Sequence, residues 1–106
     1  FQPHGYGPTR FLRNDFVTEL SNVLRPQDEI WMSEIFYAGG TAEKTISAND
    51  IIQDLKKLSK PAFFIANRND FLKMIRPHLT NDCVVLLMGA RDPSLEEFAK
   101  EIWNEL

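Results

Sequence analysis

Apolar residues recur along the first part of the chain at Phe11, Leu12, Phe16, Val17, Leu20, Val23 and Leu24. Steps of three to five place them on one stripe of a helix. The pattern predicts a helix over residues 8–24, with Pro8 in its first turn, where a missing N–H costs nothing. Arg25-Pro26-Gln27-Asp28 turns the chain. Glu29 to Phe36, carrying Ile30, Trp31, Met32, Ile35 and Phe36, reads as a strand. The polar stretch Tyr37 to Thr45 follows as a loop. A second helix starts at Ser47, an N-cap with Asp50 in a capping-box position, and its apolar face is Ile51, Ile52, Leu55 and Leu58. Pro61 to Ala66 is a short buried strand. Residues 69–77 form a third helix on Phe71, Leu72 and Ile75, and Thr80-Asn81-Asp82 is a turn. Cys83 to Met88 is the most apolar strand. A last helix carries Leu95, Phe98, Ala99, Ile102, Trp103 and Leu106.

Phe1-Gln2-Pro3-His4 reads as the tail of a further strand, which makes the chain look like a domain cut from a longer protein. Strands and helices then alternate four times. Each strand–helix–strand step favours parallel pairing with right-handed crossovers, and strands apolar on both faces call for helices on both faces. The expected fold is an α/β, doubly wound, mostly parallel sheet of Rossmann-like type, in one domain spanning residues 1–106.

The chain has 106 residues and a net charge of −3, with acids and bases mixed. No basic block points to nucleic acid, and no apolar run has the length of a membrane span. The one cysteine, Cys83, excludes an internal disulfide, and its apolar surroundings suggest a buried thiol in a reducing compartment. His78 and the charged positions Glu96, Glu97, Lys100 and Glu101 read as surface, and Trp31 and Trp103 as core or half-buried. No metal-ligand spacing, nucleophile–base pair or P-loop is present.

Ligands of open parallel sheets bind beyond the carboxyl ends of the strands. Four loops leave those ends: His4 to Thr9, Tyr37 to Thr45, Asn67 to Asn69 and Gly89 to Ser94. Three of them hold more than a plain connection needs. The first combines two glycines, a helix start, His4 as a hydrogen-bond donor and Arg10 as a fixed bidentate cation, a set suited to an anion. It also reads as a glycine turn beside surface side chains. The second pairs Gly39 and Gly40 with the ring and hydroxyl of Tyr37, or is a flexible connection with Tyr37 packed. The third opens a helix that Asp92 or Ser94 must cap; either Ser94 forms a capping box with Glu97 beside an exposed Arg91, or Ser94 and nearby backbone N–H groups hold a carboxylate.

Phe1-Gln2-Pro3-His4, Tyr6, Thr9 and Arg10 resemble the start of the C-terminal domain of the Mur ligases. The nearest branch is the UDP-N-acetylmuramate–L-alanine ligases and relatives, where this segment commonly reads Phe-Gln-Pro-His-Arg-Tyr-Thr-Arg-Thr. Glu34 to Gly40 is similar to that branch's Asp-Ile-Tyr-Pro-Ala-Gly-Glu, Thr45-Ile46-Ser47 to its Gly-Ile-Ser-Ser, and Val85 to Ala90 to its Gly-Ala-Gly strand end. The resemblance implies a cytoplasmic, three-domain, ATP-dependent ligase of peptidoglycan precursor synthesis. A carboxylate is phosphorylated and an amine attacks the acyl phosphate. ATP and Mg belong to the full-length enzyme and none is bound by this domain alone. The partners implied are the UDP-sugar and ATP domains and an amino-acid or peptide substrate. Substrate contacts fall to His4 and Arg10, with Tyr37 and Ser94 on the rim, and no residue here is catalytic. The family's two arginines fall at Gly5 and Pro8, which puts L-alanine in question. The alternative is a stand-alone ligand-binding or interaction module without catalysis, which an exposed apolar patch on an edge strand would favour.

Overall fold

The computed structural model describes residues 1–37, 39–40 and 43–106. Helix α1 spans Tyr6–Val23, strand β1 Ile30–Ser33, helix α2 Ala48–Lys57 and strand β2 Ala62–Ile65. A 3-10 turn at Arg68–Asp70 leads into α3 (Phe71–Ile75), a second at Arg76–His78 follows, and α4 covers Leu95–Glu105.

β1 and β2 pair in parallel, with Ile30 opposite Ala62 and Trp31 opposite Phe63. Successive side chains of a strand point to opposite faces, and the packing follows that alternation. Ile30, Met32 and Ala62 join a core cluster with Tyr6 and Val17 of α1 and Ile51, Ile52 and Leu55 of α2. Trp31 and Ile65 join a second cluster with Phe71, Ile75 and Ile102 of α3 and α4. The Trp31 and Phe63 rings stack at 4.3 Å between centroids and 16° between planes. The helices thus divide into two groups, one for each side of the β1–β2 pair.

α2 forms as its sequence predicts. The Ser47 side chain accepts from the Asn49 N–H, and Asp50 returns to the Ser47 N–H at 2.9 Å, completing the capping box. Glu34 reinforces the same helix start, accepting from the Ala48 N–H at 2.8 Å and the Ser47 hydroxyl at 2.7 Å.

Elsewhere the α/β class stands but the details differ from the sequence reading. Among the described residues the regular sheet has two strands, β1 and β2. Two isolated parallel bridges, Gln2 to Gly89 and His4 to Phe36, mark the other two expected strands. The Cys83–Met88 stretch is tied at its end by the Gln2 N–H to the Met88 carbonyl, 2.9 Å. Only Val85 and Leu87 lean on the second cluster, while Val84 and Leu86 are 89% and 69% exposed. Cys83 is exposed rather than buried. An apolar run advertises two buried faces, but here only one face has a neighbour.

α1 begins two residues earlier than expected, because Gly5 caps it at φ 78 and Pro8 still falls within the first turn, where no N–H is needed. α4 packs through Ile102, Phe98 and a half-buried Leu95, whereas Trp103 is 80% exposed and Leu106 is also exposed. Gly89 lies close under Leu95: a Cβ there would meet Leu95 Cδ2 at 2.8 Å, and that side chain would have to turn aside. Among the described residues no helix is long and apolar enough to cross a membrane.

Candidate functional site at the carboxyl ends of the strands

The segments 1–4, 30–36, 62–65 and 88–89 all run in the same direction. The loops that leave them therefore emerge at one end of the molecule. The Phe1–His4 segment lies between the other two groups. The Phe36 N–H donates to the Pro3 carbonyl at 2.8 Å and the Gly5 N–H to the Phe36 carbonyl at 3.1 Å, while Gln2 reaches Met88 on the other side. The backbone order across this end is 62–65, 30–36, 1–4, 88–89.

His4 is half-buried, with its ring tilted against Phe36 at 6.4 Å, and its imidazole makes no hydrogen bond among the described residues. Behind it α1 opens with Tyr6 and Gly7 as first-turn amides. Pro8 contributes none, and the Thr9 N–H and hydroxyl both turn back to the Gly5 carbonyl. The anion-binding capacity of this helix start is thus two N–H groups rather than three. Gly5 and Pro8 form a matched pair. At φ +78 a side chain is strained, and a Cβ would press on Pro8 Cδ at 3.3 Å.

Arg10 is turned to the second loop. Its Nη1 donates to the Thr45 hydroxyl at 2.8 Å and lies 3.9 Å from Glu43, with both charged side chains largely exposed. Tyr37 donates its hydroxyl to the Gly40 carbonyl and meets the Tyr6 ring edge-on at 5.6 Å, with the Lys44 ammonium 4.3 Å above its face. Burial, helped by Glu34 and Tyr37, pushes the Tyr6 phenol above its ordinary pKa. His4, Arg10 and Tyr37 are thus gathered where the first two loops meet. Ala38, Thr41 and Ala42 of the second loop lie outside the described residues.

Ser94 belongs to a different cluster. The expected capping box with Glu97 does not form; Ser94 makes no side-chain cap bond to its helix. Its hydroxyl donates to Asp92 Oδ1 at 2.6 Å and accepts from Arg68 Nη1 at 2.9 Å, and its N–H donates to the same Asp92 oxygen at 2.9 Å. Arg68 Nη2 donates to Asp92 Oδ2 at 2.7 Å. With the Gln2 amide turned to suit its neighbours, Nε2 donates to Asp92 at 3.1 Å and Oε1 accepts from Arg68 at 3.2 Å. The Ser94 hydroxyl, then Arg68 and the Ser94 amide, hold the Asp92 carboxyl down to about 2 against the opposing effect of burial.

Arg68 is the residue that the sequence reading missed. It sits in the Asn67–Asn69 loop, the one of four that showed nothing beyond a connection. Its partner Asp92 is 24 positions away, and no local spacing reports such a pair. Among the described residues no three metal-ligating side chains converge.

No family model matches the chain. Curated proteins do. The UDP-N-acetylmuramate–L-alanine ligase of Lachnoclostridium phytofermentans is 34% identical over 92 residues, which cover 87% of this chain and 19% of that protein. The protein of the same name from Lachnospira eligens is 33% identical over the same shares. That of Wigglesworthia glossinidia brevipalpis is 32% identical over 107 residues, covering 100% of this chain and 21% of its own length. The chain therefore spans about a fifth of the length of the curated relatives it matches.

Proposed function

Because this chain is homologous to Mur ligases of the UDP-N-acetylmuramate–L-alanine type across most of its length, we propose that it is the C-terminal domain of an ATP-dependent, amide-bond-forming ligase. In this reading it serves peptidoglycan precursor synthesis in the cytoplasm, helps to hold the incoming amine, and closes over ATP bound elsewhere. The observation that carries the reading is the similarity to proteins of that one name over 87% to 100% of the chain.

The backbone order 62–65, 30–36, 1–4, 88–89 supports it. Numbered along the chain it reads 3-2-1-4, the arrangement of a doubly wound sheet around its switch point, where ligands are bound. That point lies between the loop after His4 and the loop after Gly89. His4 and the two amides at the start of α1 suit the carboxylate of an amino acid, and Arg10 adds a cation once it leaves Thr45 and Glu43. Tyr37 forms the rim. Ser94, engaged by Asp92 and Arg68, contributes through its loop rather than through a free hydroxyl.

The residues described do not fit a nucleotide or a magnesium ion by themselves. The α1 start supplies two amides and no glycine fingerprint, and no cluster of three ligating side chains forms among the described residues. The ligase reading assigns ATP and Mg to other domains. Gly5, strained for any side chain and matched to Pro8, favours an amine substrate held with fewer cations than the family pattern provides.

The test is the reading frame upstream of Phe1 and the activity of its product. A glycine-rich loop ending in Gly-Lys-Thr or Gly-Lys-Ser in the same frame is expected. The polypeptide should release phosphate from ATP when given UDP-N-acetylmuramate and one of a panel of amino acids or peptides. A frame without that loop, or a product inactive with every amine, overturns the proposal. The second reading, an interaction module without catalysis, is favoured by one feature: the exposed Val84 and Leu86 on the edge segment.

A further inference from the structure

We infer that Arg68 is a positioning residue that fixes the Gly89–Ser94 loop at the carboxyl ends of the strands. That this loop meets the amine substrate rests on the ligase reading above; that Arg68 fixes it rests on geometry. One guanidinium reaches both sides of Pro93, through Nη2 to Asp92 and Nη1 to the Ser94 hydroxyl. Its central carbon, Cζ, lies over the Phe98 ring, 4.9 Å from the ring centre and one turn into α4. From the other side Gln2 bonds both Arg68 and Asp92. The end of the first segment, the turn after β2 and the loop before α4 are therefore held by a single planar cation.

Its base is rigid. The Asn67 side chain accepts from the Asn69 N–H at 3.0 Å and caps the 3-10 turn on which Arg68 stands. The clamp is also the best-buried ion pair among the described residues, with side-chain exposures of 24% for Arg68 and 9% for Asp92. Lysine could not replace it, because a compact ammonium lacks the two-pronged reach and the flat face.

The clamp decides where Arg91 stands. The other five arginines each hold a carboxylate. Arg91 is exposed and, among the described residues, pairs with none, while its neighbours Asp92 and Ser94 are bound inward. It follows two residues after Gly89, whose bridge partner Gln2 lies two residues before His4. Arg68 thereby holds the loop that carries this exposed cation.

Amide hydrogen exchange on the chain tests this, residue by residue, in wild type, Arg68→Gln and Arg68→Lys. Expected in Arg68→Gln is exchange at Ser94 and Leu95 faster by about tenfold or more, with Ile30 and Ser33 within about twofold of wild type. Arg68→Lys should fall between. Equal acceleration at all four amides makes Arg68 merely structural and overturns the inference, as does no change at Ser94 and Leu95. If Arg68→Gln does not fold, Arg68→Lys is judged by the same comparison. Loop release in a polypeptide that proves to have no ligase activity would refute the ligase reading and leave the clamp standing.

Discussion

Asp92→Asn removes one charge from the Arg68 cluster while keeping its shape. The asparagine oxygen can still accept from Ser94, but the charge-assisted bond to Arg68 is lost. The carboxyl is held at about 2, against an ordinary value of 3.8. A depressed folded pKa means stability that is fully present above the unfolded value and is lost as pH falls through the folded one. At about 1.4 kcal/mol per unit the ceiling is roughly 2.5 kcal/mol, and solvent at the partly exposed Arg68 lowers it to about 1–2 kcal/mol. Urea denaturation of both proteins near pH 7 should show that difference as a lower midpoint for the variant with an unchanged slope. The gap should stay constant down to about pH 5 and shrink to roughly a third by about pH 2.5. Other carboxyl groups titrate in both proteins and cancel in the comparison. A gap of the same size at both ends, or none near neutrality, refutes the assignment of the low pKa to this cluster.

Three other outcomes are expected. Ser47→Ala removes the cap of α2 and the hydroxyl that Glu34 accepts from, and should cost about 1–2 kcal/mol in chemical denaturation. Gly5→Ala places a Cβ at φ +78 against Pro8 and should cost about 1 kcal/mol or more, seen as a fall in melting temperature of several degrees. Cys83, exposed and bonded only to the Thr80 carbonyl at 3.0 Å, should react with a thiol reagent in the native chain at nearly the rate of the urea-unfolded chain. Strong protection would mean that the Cys83–Met88 segment is covered.

The parts legible in the sequence are those whose causes are local. Ser47 and Asp50 announce α2 because a capping box closes within four residues, and Ile51, Ile52 and Leu55 lie on one face by helical period alone. β1 and β2 are legible from short apolar runs bounded by turns. Patterning cannot say whether both faces of a run find neighbours, so Val84, Leu86 and Cys83 were expected inside and lie outside. The start of α1 was placed at Pro8 because proline favours a first helical position, yet Gly5 is the true cap, and proline is equally harmless two positions further in. His4 and Tyr37 are readable as loop residues because they follow extended segments, a matter of chain order, and Arg10 because it lies early in the helix after the first loop. Arg68 escaped for the opposite reason: its importance is made by Asp92, Ser94 and Gln2, brought together only by the fold.

The Cys83–Met88 segment has one more consequence. Its pairing is limited to one end, and Val84 and Leu86 present uncovered apolar side chains. It carries no charge and no proline to discourage a passing strand, the devices with which proteins blunt such borders. A border of this kind is a template for intermolecular β-pairing, and the chance of using it grows with concentration. The modest net charge of −3 gives weak long-range repulsion to oppose it at physiological salt. Val84→Lys or Leu86→Lys would place a charge on this border at an exposed position, without touching the core.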